Sequence, residues 1–500
     1  MAFTKDSHII VVGAGVFGLS SAYNLVQNGY KNIDIFDRTD YEKTKYSPFQ
    51  GSDAASADIN KLFRIYYETK TLYSKLAIDA LDIWDKWNEE IQTLSSEEKS
   101  RFIDDDLELI RLTGGLRVGN LQEPSLVEVD NLKGFEELGL RDTQFDLSSE
   151  KDLLRAKLLG WDKKLDIIRD LKARNKVTTV SGTLDGITRI LKADKALFYV
   201  KILLEKAGVI FHYGDEGTFS ELIYDDRNKS VVRGIRTANG STHSADVVIV
   251  SSGPWTTSLV PQLQHRTQAS LANIVYLEIP KSRQDLIDKY SEYPQLQWKT
   301  TSSESDFDPD GGFAFFPPSK SEGILKLNGR HLKYLNPVKI GDSYISVPKT
   351  LGDEKLPKFV LQEAKEVFLA LTPEAAAIEG VKLKSKLFWY TDSINSDFVI
   401  DFVPNFDNLL VATGGSSHGF KFFPVLGRTV VDRLQAAEND YTELFKWKNP
   451  EDIKVDTFGL KEEHIENNER LNLKNAVLLD DSDLEFSKED LSRIASIKLV

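Results

Sequence analysis

The chain begins with an uninterrupted apolar run, HIIVV from His8, that ends in a glycine-rich turn. A short apolar run closed by a turn reads as a strand buried on both faces. VFGLSSAYNLV then spaces its apolar residues three and four apart, as an amphipathic helix does, and KNIDIFD supplies a second strand. From Arg38 to Ala57 the pattern is polar, with no third strand where a simple nucleotide domain would place one. DINKLFRIYYETKTLYSKLAIDALDIWDKWNEEI reads as helical, with apolar residues three and four apart from Leu72 onward. Residues 91–150 are highly charged and read partly as loop. A helical block over Ile187–Ala207 leads into the short strand GVIFHYG. Alternating segments in SVVRGIRTANGSTHSADVVIVSSG predict a β-meander turning at Asn239-Gly240. Residues 265–350 hold β-like runs (LANIVYLEIP, GGFAFFPP, GILKLNG) broken by Gly and Pro. Residues 355–372 read as helix. DFVIDFVP and NLLVATGG are strands, followed by a second glycine-rich turn and the helix VLGRTVVDRLQAA. The last fifty residues are charged and sparsely apolar, and are expected to be an appendage outside the core. No internal repeat is visible.

Composition narrows the classes of function. The 500 residues carry 63 basic and 77 acidic side chains, a net charge of −14. That balance argues against nucleic acid or an anionic membrane as partner. No apolar run approaches the ~18 residues that span a bilayer. The start, MAFTKDSH, lacks the plan of a signal peptide, and the end, Lys498-Leu499-Val500, is no peroxisomal address. The expected location is intracellular, cytoplasmic rather than peroxisomal, and the sequons at Asn228 and Asn239 are then chance matches. The chain has no cysteine, which removes disulfides and thiolate chemistry. Its seven histidines are scattered with no pair at ligand spacing, so no metal site is expected.

The turn Gly13-Ala14-Gly15-Val16-Phe17-Gly18 sits between a strand and a helix, where it can hold a dinucleotide. Gly13 permits the tight turn, Gly15 lets backbone approach a pyrophosphate, and Gly18 lets helix and strand pack closely. The helix N-terminus offers unpaired N–H groups to the phosphates. Asp37, followed by Arg38, ends the second strand, where its carboxylate can accept from a ribose hydroxyl. A nicotinamide domain completes its strands in one block. This chain leaves after two strands and returns late, in DVVIVSSGPW with Gly253 and Trp255 and in NLLVATGGSSHGFKFFP. A discontinuous domain of that kind favours FAD. The rival motif Gly415-Ser416-Ser417-His418-Gly419 fits a G-x-S-x-G nucleophile elbow. Its only later partners are Asp432 and His464, the latter in a polar tail, so the hydrolase reading is set aside.

Together, GAGVFGLSSAYNL, GSDAASADINKLFR, SADVVIVSSGPWT, FWYTDSINSDFVID and VATGGSSHGFKFFPVLGRTVVD resemble one known group from about residue 8 to 435. It is the group of fungal FAD-dependent amine oxidoreductases related to monomeric sarcosine oxidase. Fructosyl amino acid oxidases (amadoriases), L-saccharopine oxidase and L-pipecolate oxidase belong to it. The resemblance implies an α/β (α+β) two-domain flavoprotein, with a discontinuous Rossmann-like FAD-binding domain (1–90, 165–260, 355–440) and a β-sheet-rich substrate or lid domain (91–164, 261–354). Residues 441–500 form the charged extension. It further implies oxidation of the C–N bond of a secondary-amine amino acid by hydride transfer to flavin, then hydrolysis of the imine and reoxidation by O2 to hydrogen peroxide. A monomer is the favoured state.

Residue by residue, the resemblance puts Asn60, Lys61 and Arg64 of NKLFR beside the flavin, with Arg64 clamping the substrate carboxylate and Lys61 one helical turn away favouring the reduced ring. Lys421 is the second carboxylate contact. Gly414, Gly415, Gly419 and Phe420 approach the pyrimidine edge of the flavin. Arg330 and Lys333 in NGRHLKYLN read either as contacts for a multiply acidic substrate or as a basic surface strand. Two departures stand out. Phe388 occupies the position of the cysteine that relatives join to flavin, so noncovalent FAD is expected. The lysine that promotes reaction with oxygen falls near Ser270, and no lysine occurs between Arg266 and Lys281. That gap keeps open a dehydrogenase with another acceptor, and a binding protein of flavoprotein fold without turnover.

Overall fold

The computed structural model describes residues 3–67, 70–299, 312–329, 334–340, 343–349, 356–453 and 472–499. The first strand, Ile9–Val12, lies in the middle of a six-stranded sheet, because all four residues are apolar and each face must be covered. Ile33–Asp37 pairs with it in parallel on one side and Val247–Val250 on the other. Ile210–Tyr213 extends the sheet beyond Ile33–Asp37, and Leu409–Thr413 beyond Val247–Val250. Only the edge strand Val399–Phe402 runs antiparallel. One sheet thus gathers strands from three distant parts of the chain. The helix Val16–Gln27 packs on it beside Leu426–Leu434.

The second sheet has eight strands, in the order Leu383–Ser393, Thr267–Glu278, Ile324–Gly329, Gly312–Phe316, Gln295–Lys299, Gly115–Gly119, Ser181–Asp185 and Gln144–Asp146. Its pairs are antiparallel except Gln295–Lys299 beside Gly115–Gly119. The helix Lys358–Leu371 buries its apolar face against this sheet. A mixed α/β architecture with a discontinuous nucleotide-type sheet and a second, β-rich layer is therefore what the chain forms. No helix among the described residues is long and apolar enough to cross a membrane.

Several sequence expectations change. The helix expected from Asp58 starts only at Thr71 and ends at Glu90. Lys61–Phe63 is instead a strand antiparallel to Arg189–Leu191, and Phe63 and Ile65 are buried two residues apart, the strand period. That partner strand occupies the start of the block read as helix, which begins at Ala193. The meander keeps its Asn239-Gly240 turn between Val232–Thr237 and Thr242–Ser244, but Val247–Val250 leaves it for the central sheet. The charged stretch 91–150 is ordered around Arg117, which is buried and paired at 3.0 Å with both Glu128 and Asp185. Loops connect its short helices and strands, as the sequence suggested. The C-terminal stretch is no free appendage either. Leu473, Leu479 and Ile497 are buried in the second core, and the Leu473 N–H donates to the Leu335 carbonyl at 2.8 Å.

Candidate active site

A cavity of about 1170 Å³ runs between the two sheets, larger than most small-molecule sites. One end is made by the first glycine-rich turn. Gly13 has φ +109°, and a Cβ there would lie 2.5 Å from the Ser251 carbonyl oxygen. A Cβ at Gly18 would lie 1.8 Å from the Gly13 carbonyl oxygen, so the helix can start this close to the strand only without one. Gly15, Val16 and Phe17 line the cavity. The Val16 N–H, at the helix start, donates to the Ser56 hydroxyl at 3.0 Å. Ser56 also lines the cavity beside the glycine turn, and no sequence motif singled it out.

Asp37 closes this end. Its carboxylate accepts from the Ala14 and Thr39 N–H groups, each at 2.8 Å, and burial pushes it up to about 6 despite those bonds. Arg38 pairs with Asp53 and lies over the Trp255 ring, its guanidinium carbon 4.2 Å from the centroid. Trp255 and Gly253 follow the strand Val247–Val250 and line the same wall. Glycine cradle, helix start, half-buried acceptor and cavity size together fit a dinucleotide such as FAD.

The other end collects cations. Lys61 and Arg64 come from the strand Lys61–Phe63 and the residue after it, and Lys421 from the tight turn Phe420–Phe422. Among the described residues Arg64 makes no ion pair; its guanidinium stands 5.8 Å from the centroid of the Tyr67 ring. Lys421 is buried and donates to the Tyr67 hydroxyl at 2.6 Å and the His418 carbonyl at 3.3 Å. His418 Nε2 lies 2.8 Å from the Ser396 carbonyl, which can only accept, so that nitrogen carries the proton. Nδ1 then accepts from the Tyr67 hydroxyl at 2.8 Å. Burial and the neighbouring Lys421 cation hold His418 well below its ordinary value, so the imidazole stays neutral. Burial pushes Tyr67 upward, so it keeps its proton as well. The result is a fixed chain from Lys421 through Tyr67 to His418, which orients the ammonium at the cavity.

The same end holds a lysine that sequence reasoning missed. Lys326 is fully buried in the strand Ile324–Gly329, and it lines the cavity. Its signal was present in GILKLNG: Leu325 and Leu327 face the core, which leaves Lys326 and Asn328 on the alternate face, and both reach the cavity. Ser270, where a lysine was sought, is in the neighbouring strand and bonds Asp392. Lys326 pairs with Asp58, as does Lys61.

Gly415, Gly419 and Phe420 line the cavity, whereas Gly414 turns the chain behind it. Asn60 is buried and does not reach the cavity; its carbonyl accepts from Lys326 at 2.7 Å. Phe388 is fully buried in an apolar cluster with Ile59, Ile274 and Tyr276. Arg330, Lys333 and His464 lie outside the described residues. Ser417 stands exposed on the turn, while the Asp432 carboxylate is engaged by Asn439 at 2.8 Å, so the nucleophile-elbow pattern assembles no dyad with Asp432.

Comparison with known proteins converges on one family. The family described as FAD dependent oxidoreductase matches residues 8–433. The chain is 24% identical over 456 residues to L-saccharopine oxidase of Schizosaccharomyces pombe (strain 972 / ATCC 24843), covering 88% of this chain and 93% of that protein. It is 22% identical to the peroxisomal sarcosine oxidase of Homo sapiens, over 86% of this chain and 93% of that one. Among solved structures it is similar to the fructosyl peptide oxidase from E. terrenum, with a TM-score of 0.68 at 21% identity, covering 89% of this chain and 93% of that chain. Amadoriase I from Aspergillus fumigatus gives a TM-score of 0.66 at 22% identity, covering 90% and 91%.

Proposed function

The chain belongs to the FAD dependent oxidoreductase family, and from that premise we propose that it oxidises the C–N bond of a secondary-amine amino acid, with noncovalent FAD and with oxygen as acceptor. The substrate is of the saccharopine, fructosyl amino acid or sarcosine/pipecolate type. The observation that carries this reading is the convergence of Arg64 and Lys421 on the cavity that also holds the dinucleotide turn. FAD held by the Gly13–Gly18 turn and Asp37 would supply the two-electron acceptor for a C–N oxidation whose imine product is hydrolysed by water, with O2 as the terminal acceptor giving hydrogen peroxide.

Each remaining step belongs to a residue of the chain. Arg64 offers a planar fork to the substrate carboxylate, and Lys421, oriented by Tyr67, offers a second cation. With Lys61 and Lys326 also near, this end of the cavity disfavours an ammonium, so the amine binds neutral, with its lone pair free to form C=N as the adjacent carbon loses its hydride. Neutral His418 adds no further positive charge. Lys326 is the fixed cation toward which negative charge on oxygen can develop, which favours an oxidase over a dehydrogenase.

Two variants separate these roles. Lys421→Met removes a charged hydrogen bond of about 1.5–3 kcal/mol, so anaerobic flavin reduction should lose about 10- to 100-fold in its second-order rate constant. Lys326→Met should slow reoxidation in air by about a hundredfold or more, and more than it slows reduction. Stopped-flow absorbance reads both steps. Unchanged reduction in the first variant, or unchanged reoxidation in the second, contradicts the corresponding role.

A further inference from the structure

Asp58 lies behind the cation end of the cavity without lining it, and it is 0% exposed. One of its oxygens accepts from the Lys61 ammonium at 2.8 Å and also from the Lys326 ammonium. The other accepts from the Tyr276 hydroxyl at 2.9 Å and the Ile59 N–H at 2.8 Å. The lysine and tyrosine donors come from separate sheets: Lys61 from the short strand paired with Arg189–Leu191, Tyr276 and Lys326 from paired strands of the eight-stranded sheet. Two lysines that face the cavity are thus tied to one carboxylate that does not. An ammonium buried as completely as Lys326 needs an opposite charge in contact, or it gives up its proton.

We propose that Asp58 is a positioning residue that fixes the Lys61 and Lys326 ammonium groups at the cavity wall and thereby keeps Lys326 a cation during the oxygen step. The inference rests on the flavin-oxidase reading above. Among the described residues, Asp58 is the carboxylate that pairs with Lys326. Lys61 repels it, and the Asn60 carbonyl accepts from it at 2.7 Å. The Phe316 ring faces it with its centroid 4.6 Å away, and Tyr276 pairs with it across the strands. Tyr390 and Asp194 act on Tyr276 from farther out. Asp58 is held well below the usual carboxylate range by the two lysines, so it is ionised throughout. Burial and Lys61 bring Lys326 down to about 8, and Asp58 opposes that fall. Loss of the Asp58 charge should lower Lys326 by a further one to three units or so.

The test uses the holoenzyme with ¹³Cε-labelled lysine, the Lys326 signal being the one lost in Lys326→Met. In the parent protein that signal should titrate near pH 8, and the rate of reoxidation in air should fall through the same pH. Asp58→Asn should move both to lower pH together, so that reoxidation at neutral pH drops about two- to a hundredfold. A titration and a pH limb that stay in place overturn the proposal. Should two uncompensated lysines prevent Asp58→Asn from folding, the double variant Asp58→Asn/Lys326→Met restores the local balance of charge. It should reoxidise as Lys326→Met does alone; a further slowing would mean that Asp58 acts by another route. If the parent flavin is reduced by no amine, the oxidase reading fails, while the lysine titration still decides whether Asp58 governs Lys326.

Discussion

As the proposed ribose acceptor, the half-buried Asp37 ties cofactor binding to pH. Folding buries its carboxylate and raises it from 3.8 to about 6. The folded apoprotein therefore favours the protonated acid, and the stability this confers is complete below about pH 4 and lost as the pH rises through 6. A ribose hydroxyl donating to Asp37 favours the ionised form instead, so FAD binding must expel the proton. The dissociation constant of FAD should fall about tenfold per unit as pH rises from 4 toward 6, then level off. Quenching of flavin fluorescence on titration with apoprotein measures this, and a flat profile would remove Asp37 from the ribose site. The acidic residue at the strand end was legible because it follows the glycine turn at short range. Tyr67 and His418 were not, since their roles depend on a hydrogen-bond chain that forms only when distant segments meet.

At the level of elements, the unit from Ile9 to Asp37 was readable because strand, turn, helix and strand are contiguous, and each declares itself by its own period. Gly18 is where that unit is most exposed to change. A methyl there meets the Gly13 carbonyl oxygen at 1.8 Å, so Gly18→Ala must push the helix off the strand. The expected cost is about 1–3 kcal/mol, seen as a lower Tm, together with a fall in flavin per protein. A variant with parental Tm and flavin content would show that the close packing is not required. The short strand Lys61–Phe63 was misread because its partner, Arg189–Leu191, lies more than a hundred residues away. Lys326 was missed for a related reason. Its position beside the cavity follows from the register Tyr276↔Lys326, which no local pattern reveals.

Over the whole molecule, two sheets enclose one cavity, and the net charge of −14 sits with a concentration of lysine and arginine at one end of it. Composition argued against polyanionic partners but did not locate this basic end of the cavity. It also misjudged the C-terminal stretch, where a few buried apolar residues suffice to hold a charged segment in the fold. With no cysteine in the chain and Phe388 enclosed in an apolar cluster, no thioether to flavin can form. Acid precipitation should therefore leave yellow flavin in the supernatant; colour retained by the pellet would mean another covalent link. The most direct test of the account is the visible spectrum of the purified protein without air, before and after each of the secondary amino acids named above, and again after air is admitted. Flavin bands that bleach with one of them and return with oxygen are the predicted result. A protein that shows no flavin bands even after incubation with FAD would contradict the account at its centre.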